Sequence, residues 1–244
     1  DGKITNLMNA TLSAADLGVG VHIKSADSSA SASVHADELV IENSANAGLS
    51  ILSGTSNSGS IFFGDSGDND IGYIQYEHST TNSLYFGTNA GTRMIIDSTG
   101  AVTMPNQPAF LGQGVAASNV SNNTVLGFDD TVSNVGFDQN ADFASNTFTA
   151  PVDGMYQLNV TCRFTQVDKD ANYILIQLET SNNNYQHIID PRVFDVDSTY
   201  IHLPIPVLAH MDANDTASVK FYQNGGDSTA DFDVASYFSG FLAC

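Results

Sequence analysis

Basic residues are what this sequence lacks most. Its 244 residues include 7 Lys and Arg against 27 Asp and Glu, a formal net charge of −20. Proteins that bind nucleic acid neutralise phosphates with Lys and Arg, and anionic membrane surfaces attract the same residues. The deficit therefore argues against a nucleic-acid partner and against adsorption to an anionic membrane.

Long apolar runs are missing as well. No stretch of 18 or more apolar residues occurs, so we expect no membrane insertion. The first twenty residues have neither a basic start nor an apolar core, so no signal peptide is indicated. Because the chain begins with Asp1 rather than Met, we expect it to be a fragment or a processed product.

Cysteine is scarce and tryptophan is absent. Cys162 and Cys244 are too few for a disulfide framework or a zinc cluster. Cys162 shares the alternation phase of its apolar neighbours, which predicts a buried free thiol. A glycosidase would place paired carboxylates beside aromatic sugar platforms, but there is no Trp to build them. The carboxylate pairs present are those that an acidic composition supplies: Asp129 and Asp130, Asp195 and Asp197, Asp231 and Asp233.

Helical periodicity is nearly absent. Residues 4–17 alone show it, diluted by Thr, Asn and Ser, so the sequence leaves open a short helix or a linker over residues 1–29. The rest consists of strand-length segments separated by Gly, Asn, Asp and Ser, the residues that favour turns. The predicted fold class is therefore all-β.

Residues 30–104 carry short strands with few apolar residues between long polar stretches. Strands are predicted at residues 38–42, 49–52, 60–63, 71–76, 83–87 and 93–97. A lone hairpin is marginally stable in water. We therefore predict an intertwined trimeric β shaft, in which copies from several chains bury their faces together.

Residues 105–244 carry longer strands with sharper apolar alternation. Strands are predicted at residues 155–164, 173–179, 200–208, 216–223 and 234–243. This pattern predicts an antiparallel β-sandwich. Pro204 and Pro206 place the 200–208 strand at an edge or a bulge, because proline cannot donate to a ladder of hydrogen bonds.

The tetrapeptide GDSG at residues 64–67 is also the centre of the nucleophile motif of trypsin-like proteases. A nucleophilic Ser66 would need a His and an Asp on barrel strands before it, and Asp68 replaces the trailing Gly of that motif. Asp65, Asp68 and Asp70 do not fit an EF-hand register, although an irregular carboxylate site stays open. The sequence favours a turn between two strands.

No metal-ligand spacing connects the histidines, since neither HxH nor HExxH occurs. They are scattered at His22, His35, His78, His187, His202 and His210. We expect no cofactor. Carboxylates of three chains that converge on a common axis would make an axial calcium ion reasonable, and the sequence leaves this open.

Two segments at opposite ends of the C-terminal region carry a family resemblance. FTAPVDGMY at residues 148–156 and SYFSGFL at residues 236–242 resemble the C1q globular-head family of the C1q/tumour-necrosis-factor jelly-roll group. Phe128 lies upstream, and residues 208–215 have Asn214 where the family usually has Gly. The resemblance implies a jelly-roll sandwich, a homotrimer and a binding function, and it does not imply catalysis.

The motif residues have structural interpretations. Phe148 and Tyr156 are large anchors for a core or for a trimer seam. Gly154 marks a tight turn, and Gly240 permits close backbone approach in the last strand. The predicted fold and trimer markers are Phe148, Gly154, Tyr156, Phe238 and Gly240.

The first half resembles shaft modules of tailed-phage fibres, especially those of marine phages. The similar blocks, in order, are residues 37–43, 47–51, 59–65, 71–76 with His78, and 93–102. The resemblance implies a virion protein, exposed to the outside, whose partners are other tail proteins and a host surface receptor, either a glycan or an outer-membrane protein. Similar fibres often end in a self-cleaving chaperone domain, which the C1q-like head replaces here.

Four polar segments of the C-terminal region are long for hairpin connections: residues 165–172, 180–187, 190–199 and 223–233. Binding residues concentrate on loops held by rigid elements. A set suited to stacking on, and hydrogen bonding with, a sugar or a protein epitope lies among them. The predicted receptor-binding residues are Tyr185, His187, Arg192, Phe194, Asp195 and Asp197.

The leading hypothesis is a non-enzymatic receptor-binding protein, the distal part of a phage tail fibre with a trimeric C1q-like head. A bacterial C1q-like adhesin unrelated to phage is the second hypothesis. A polysaccharide depolymerase is the third, and it lacks the carboxylate pair in an aromatic groove that such an enzyme needs.

Overall fold

The computed structural model describes residues 21–227 and 229–244, so the helix considered for residues 4–17 lies outside the described residues. The described residues divide into two units: residues 21–91 with 96–100, and residues 92–95 with 101–227 and 229–244. Across the described ranges there are β-strands and one 3-10 turn, Pro191–Val193, but no α-helix. The all-β prediction is confirmed. The predicted boundaries after residues 29 and 104 stay predictions.

The strands of residues 21–96 are short. They are β1 (Val21–Lys24), β2 (Leu39–Glu42), β3 (Ser58–Phe63), β4 (Gly72–Glu77), β5 (Ser83–Thr88) and β6 (Gly91–Ile96). β1 and β2 pair in parallel, whereas β3, β4 and β5 are antiparallel neighbours. The prediction of a strand at residues 49–52 is wrong. Ile51 lies against Gly59 of β3, but the segment forms no strand. Alternation over four residues cannot distinguish such a segment from a strand.

A buried carboxylate holds β1 to β2. Glu42 accepts the backbone N–H of Ser28 at 2.6 Å and lies 2.9 Å from Nε2 of His22. The Ser28 N–H, more than any other neighbour, lowers the pKa of Glu42 to about 2. The carboxylate therefore stays ionised, although its residue is buried.

The strands after residue 100 belong to the second unit. They are β7 (Val102–Thr103), β8 (Ala109–Gly114), β9 (Thr124–Val125), β10 (Phe128–Asp129), β11 (Phe137–Asp138), β12 (Phe143–Ala144), β13 (Thr147–Thr149), β14 (Gly154–Thr165), β15 (Tyr173–Thr180), β16 (Asn184–Ile189), β17 (Ile201–Met211), β18 (Thr216–Asn224), β19 (Asp231–Phe232) and β20 (Tyr237–Leu242).

Two antiparallel sheets contain all strands of this unit except β7. One has seven strands in the order β10-β8-β20-β14-β17, with β11 on β8 and β19 on β14. The other has six strands in the order β12-β13-β18-β15-β16, with β9 on β18. The apolar residues of both sheets form one buried cluster, so the predicted β-sandwich is confirmed.

β14 shows why the sequence folds this way. Its twelve residues alternate, and every second side chain from Tyr156 to Phe164 is buried. Cys162 lies in this phase and is a fully buried free thiol, as predicted. Burial raises the pKa of the Cys162 thiol, because the thiolate would lose its hydration.

The core is rich in aromatic rings. Phe238 contacts the rings of Phe110 and Phe128 edge-on, at centroid distances of 5.0 and 5.7 Å. Phe148 stacks on Phe110 at 4.8 Å and is fully buried. Tyr156 is buried beside it and donates its hydroxyl hydrogen to a backbone carbonyl. Phe148 and Tyr156 therefore anchor the core and not a trimer seam.

The two marker glycines are required by close packing. A Cβ at Gly240 would lie 2.6 Å from Cδ2 of Leu158 and 2.8 Å from Cε1 of Phe110. A Cβ at Gly154 would lie 2.8 Å from the carbonyl oxygen of Cys244. The predicted close approach at Gly240 is confirmed. Gly154 begins β14 after the bends of residues 151–153, and the chain end packs against it.

The two prolines lie on an edge strand, as predicted. β17 ends the seven-stranded order, and Pro204 and Pro206 oppose Thr161 and Asn159 of its one neighbour, β14. Proline lacks an N–H group, and at a free edge this removes no hydrogen bond from the sheet. The turn at residues 212–215 also forms, with Asn214 in the left-handed region at φ +73°, which Asn adopts more readily than most residues other than Gly.

On β8, β20, β14 and β17, the outer face of the seven-stranded sheet carries no charge across three central rows, and Asp129 of β10 lies beside Gln113 at the end of one of them. One row places Phe241 beside Gln157, which in turn lies beside Leu208. On these four strands the residues of the three rows are Ala109, Phe241, Gln157, Leu208, Leu111, Ser239, Asn159, Pro206, Gln113, Tyr237, Thr161 and Pro204. Phe241 and Leu208 are 47% and 50% exposed. Central rows that hold no carboxylate on four strands are unexpected in a chain with a net charge of −20.

Candidate binding site

Three loops meet at one end of the sandwich. Residues 166–172 join β14 to β15, residues 190–200 join β16 to β17, and residues 225–230 join β18 to β19. They meet because Tyr173, which begins β15, pairs with Asn224, which ends β18. We call this group of loops the loop end.

Backbone hydrogen bonds join the first two loops. Val167 and Ser198 exchange both of their N–H···O=C bonds, at 3.0 and 2.9 Å. The N–H of Lys169 donates to Oδ1 of Asp197 at 3.0 Å. Asp197, one of the predicted binding residues, therefore also fixes the shape of the loop end.

Asp168 links the first loop to the third. Its carboxylate accepts the N–H of Asp170 at 2.8 Å and the N–H of Asp227. These N–H groups lower the pKa of Asp168, because they stabilise the ionised form. Gly226 has φ +65°, and a Cβ there would lie 2.5 Å from Oδ2 of Asp168, so the turn requires glycine.

Replacing Asp168 with Asn is expected to loosen the loop end, because an amide accepts with one oxygen and not with two. Amide hydrogen exchange of Asp170 and Asp227 should accelerate at least tenfold, while exchange within β14 stays unchanged. In the unchanged protein, protection of these amides should persist above the ordinary pKa of Asp, roughly 3.9. It should be lost as the pH falls through the lowered pKa of Asp168. Equal exchange rates in both proteins at neutral pH would contradict this role.

Arg192 is held within its own loop. Its Nε and Nη2 donate to the two oxygens of Asp190 at 2.9 and 2.8 Å, and its Nη1 donates to Asn172 at 3.2 Å. The guanidinium also lowers the pKa of Asp190. Arg192 therefore stiffens the 190–200 loop and joins it to the first loop.

Apolar side chains project from the 190–200 loop. Val193 and Val196 are 75% and 70% exposed, and Phe194 and Tyr200 are also exposed. Phe194 was predicted as a binding residue, whereas Val193, Val196 and Tyr200 were missed. The sequence did contain a signal for them. DPRVFDVDSTY places apolar residues among turn-forming ones, and a loop that served only as a solvated connection would not need apolar side chains. Asp195 lies exposed in the same loop.

A polar cavity of about 310 Å³ opens at the loop end. Its lining offers one amide, one carboxylate and three hydroxyl groups, from Gln166, Asp197, Ser198, Thr199 and Thr229. Such groups donate to and accept from hydroxyl-rich ligands.

Tyr185 and His187 do not lie on a loop, so that prediction is wrong. They belong to β16, because the connection from β15 is only residues 181–183. Tyr185 packs against the core, and Nδ1 of His187 lies 2.9 Å from the carbonyl oxygen of Pro204. They line a groove of about 630 Å³ between the edge strands β16 and β17. The six predicted residues therefore divide between two places, and their binding role stays a prediction.

The GDSG segment is a turn, as favoured. Residues 64–71 connect β3 to β4, and Ser66 is exposed there. Asp65 accepts the N–H groups of Gly67 and Asp68 at 2.7 and 3.1 Å, which lowers the pKa of Asp65. Asp68 accepts the N–H of Asp70 at 3.2 Å. The carboxylates Asp65 and Asp68 serve the turn itself.

In residues 21–227 and 229–244, no group of three or more His, Cys, Asp or Glu is placed to hold a metal ion within one chain. An axial calcium ion held by three chains stays a prediction. Over the same residues, no helix is long and apolar enough to cross a membrane.

The second unit is a jelly-roll β-sandwich, with two antiparallel sheets around an aromatic core. The SYFSGFL motif at residues 236–242 contains β20, a central strand of the seven-stranded sheet. A model of the C1q domain matches residues 109–243, which is more than half of the chain. This chain belongs to the C1q domain family. C1q domains are generally structural or recognition domains that typically form trimers and bind ligands.

Among solved structures, the globular domain of zebrafish complement 1qA protein is similar to this chain. The two share 18% sequence identity with a TM-score of 0.41, and the match covers 57% of this chain and 98% of that chain. No curated protein matches the sequence.

Proposed function

We propose that this protein is a homotrimeric receptor-binding protein whose C1q head recognises a surface ligand through its loop end. The observation that carries the proposal is the combination of a stiffened loop framework with exposed apolar side chains. Val193, Phe194 and Val196 project from a loop that hydrogen bonds fix to its neighbours. Preorganised loops bind with a smaller loss of conformational entropy.

The trimer is supported by the outer face of β8, β20, β14 and β17 in the seven-stranded sheet, whose central rows carry no charge. Interfaces are depleted of charge at their centres and enriched in aromatic residues such as Phe241 and Tyr237. Three loop ends on one head would bind a surface together, so weak single contacts would still give strong attachment.

The cavity favours a hydroxyl-rich ligand, such as a surface glycan, over an apolar one. Its carboxylate and hydroxyl groups can each bond sugar hydroxyls, and the exposed Tyr200 offers a ring on the same loop as Asp197. An outer-membrane protein epitope is the alternative receptor.

The finer proposal is the distal part of a phage tail fibre, located in the virion and joined to other tail proteins. Its one support is the resemblance of the ordered blocks before the head to shaft modules of phage fibres. A bacterial C1q-like adhesin is the second candidate. Mass spectrometry of purified phage particles from the source would detect the chain in the first case and not in the second.

The binding proposal is tested on an array of bacterial surface glycans with the labelled full chain. We expect at least one glycan to be bound, and Asp197→Ala with Phe194→Ala to reduce its binding at least tenfold. Asn182→Ala, in the 181–183 turn away from the loop end, is the matched control and should bind normally. Equal losses in the control and the loop-end variant would contradict the proposed site.

A further inference from the structure

Among its described residues, the first unit has strands but no buried apolar side chain. All buried hydrophobic side chains of the described residues lie between Phe110 and Phe238, in the second unit. Within residues 21–91 and 96–100, the apolar residues are half-buried or exposed. Burial of apolar surface is the main favourable term in folding. These strands therefore need a partner to cover them.

One face of the three neighbouring strands β3, β4 and β5 collects the apolar residues. Ile61 pairs with Ile74, which pairs with Phe86. In the next row, Gly59 pairs with Tyr76, which pairs with Leu84. We call this the apolar face; its residues are Gly59, Ile61, Phe63, Gly72, Ile74, Tyr76, Leu84 and Phe86.

The segment before β3 extends this face. Leu49 and Ile51 border the same shallow groove of about 430 Å³ as Ile61, Ile74 and Leu84. Leu49 and Ile51 are exposed. The apolar face is therefore wider than the three strands.

The opposite face of the same strands is different. Glu77 lies there between Ser58 and Ser83, and Gln75 lies between Ser60 and Tyr85. The aromatic ring of Tyr73 covers Gly87, where a Cβ would lie 2.2 Å from the ring. This face is mixed in polarity and carries a carboxylate, whereas the apolar face carries no charge.

The charge distribution favours another copy of this chain as the partner of the apolar face. Two copies with a net charge of −20 each repel, so contact between them is most favourable where no carboxylates face one another. The apolar face meets this condition. The first unit also precedes a C1q domain, whose relatives typically form trimers. Trimeric heads would hold three first units at a high effective concentration.

We propose that the apolar face of β3, β4 and β5 is buried against the same unit of two other copies of this chain. The inference rests on the proposed trimer and adds to it a second interface, distinct from the uncharged sheet face of the head. The occupant is the chain itself, and the mixed face stays open to water.

The experiment compares two adjacent residues on opposite faces. In the Cys244→Ser chain, which leaves the buried Cys162, single cysteines are introduced as Ile61→Cys and Phe62→Cys. Ile61 and Phe62 are 43% and 53% exposed in one chain, so an uncovered sheet predicts similar maleimide labelling rates. Burial between copies predicts that Ile61→Cys labels at least tenfold more slowly. After unfolding in guanidinium the two rates should be equal.

The pair Tyr76→Cys and Gln75→Cys repeats the comparison on β4, should either first variant fail to assemble. A trimeric mass with equal labelling on both faces would overturn this interface and leave the head trimer standing. A monomeric mass would overturn both. Slow labelling of Ile61→Cys in a monomer would mean that a segment of the same chain covers the face, which also contradicts the proposal.

Discussion

Replacing Phe238 with Ala is expected to lower the free energy of unfolding of the head by about 3–5 kcal/mol. The ring is fully buried and contacts Phe110, Phe128 and Phe143 edge-on at 5.0 to 5.8 Å. The loss of stability has two causes. Less apolar area is removed from water on folding, and a cavity remains because the surrounding rings cannot all move inward to fill it. Urea unfolding at one fixed protein concentration, followed by circular dichroism, measures it.

Phe194→Ala is the matched control for this substitution. It removes the same atoms from an exposed position in the 190–200 loop, so it should cost less than about 1 kcal/mol. If the two substitutions destabilised the protein equally, the packing described for the sandwich core would be wrong.

Replacing Phe241 with Glu is expected to weaken the trimer at least 100-fold. Phe241 lies in a central row of the uncharged sheet face, beside Gln157. Three copies would bury three carboxylates near one another, and an unpaired buried charge costs several kcal/mol. Mass photometry over a dilution series would show half-dissociation at a concentration at least 100-fold higher than in the unchanged protein.

Ile188→Glu is the control for the trimer. Ile188 lies on β16 of the other sheet and is 56% exposed, against 47% for Phe241. The same charge added there should shift the dissociation midpoint by less than threefold. Equal shifts for the two variants would mean that the seven-stranded sheet face is not the interface of the head.

The sandwich could be predicted because its strands alternate strictly and its motifs are specific. The alternation of β14 placed Cys162 in the core, and Pro204 with Pro206 placed β17 at an edge. Alternation acts through side-chain direction and proline acts through a missing hydrogen-bond donor, and both effects are local. The sequence pattern was therefore enough to predict these features without knowing which strands pair.

The candidate site was harder to predict, because it depends on which loops meet. Tyr185 and His187 follow three asparagines that suggest a longer loop, yet their alternation with Ile189 marks a strand facing the core. The strand prediction at residues 49–52 was wrong for the opposite reason: a strand was predicted where there is none. An extended segment can lie along a sheet without forming the hydrogen bonds of a strand. The hydrogen bonds of Asp168 and Asp197 join loops distant in sequence, and no local pattern reveals them.

The absolute mass of the full chain, measured by light scattering after gel filtration, tests the central claim most directly. The measurement is made with and without a chelator, so that an axial calcium ion would show itself as chelator-dependent assembly. A trimer predicts a mass near three chains of 25.8 kDa each. A monodisperse species with the mass of one chain would contradict the trimeric head and leave the apolar face of the first unit without its proposed partner.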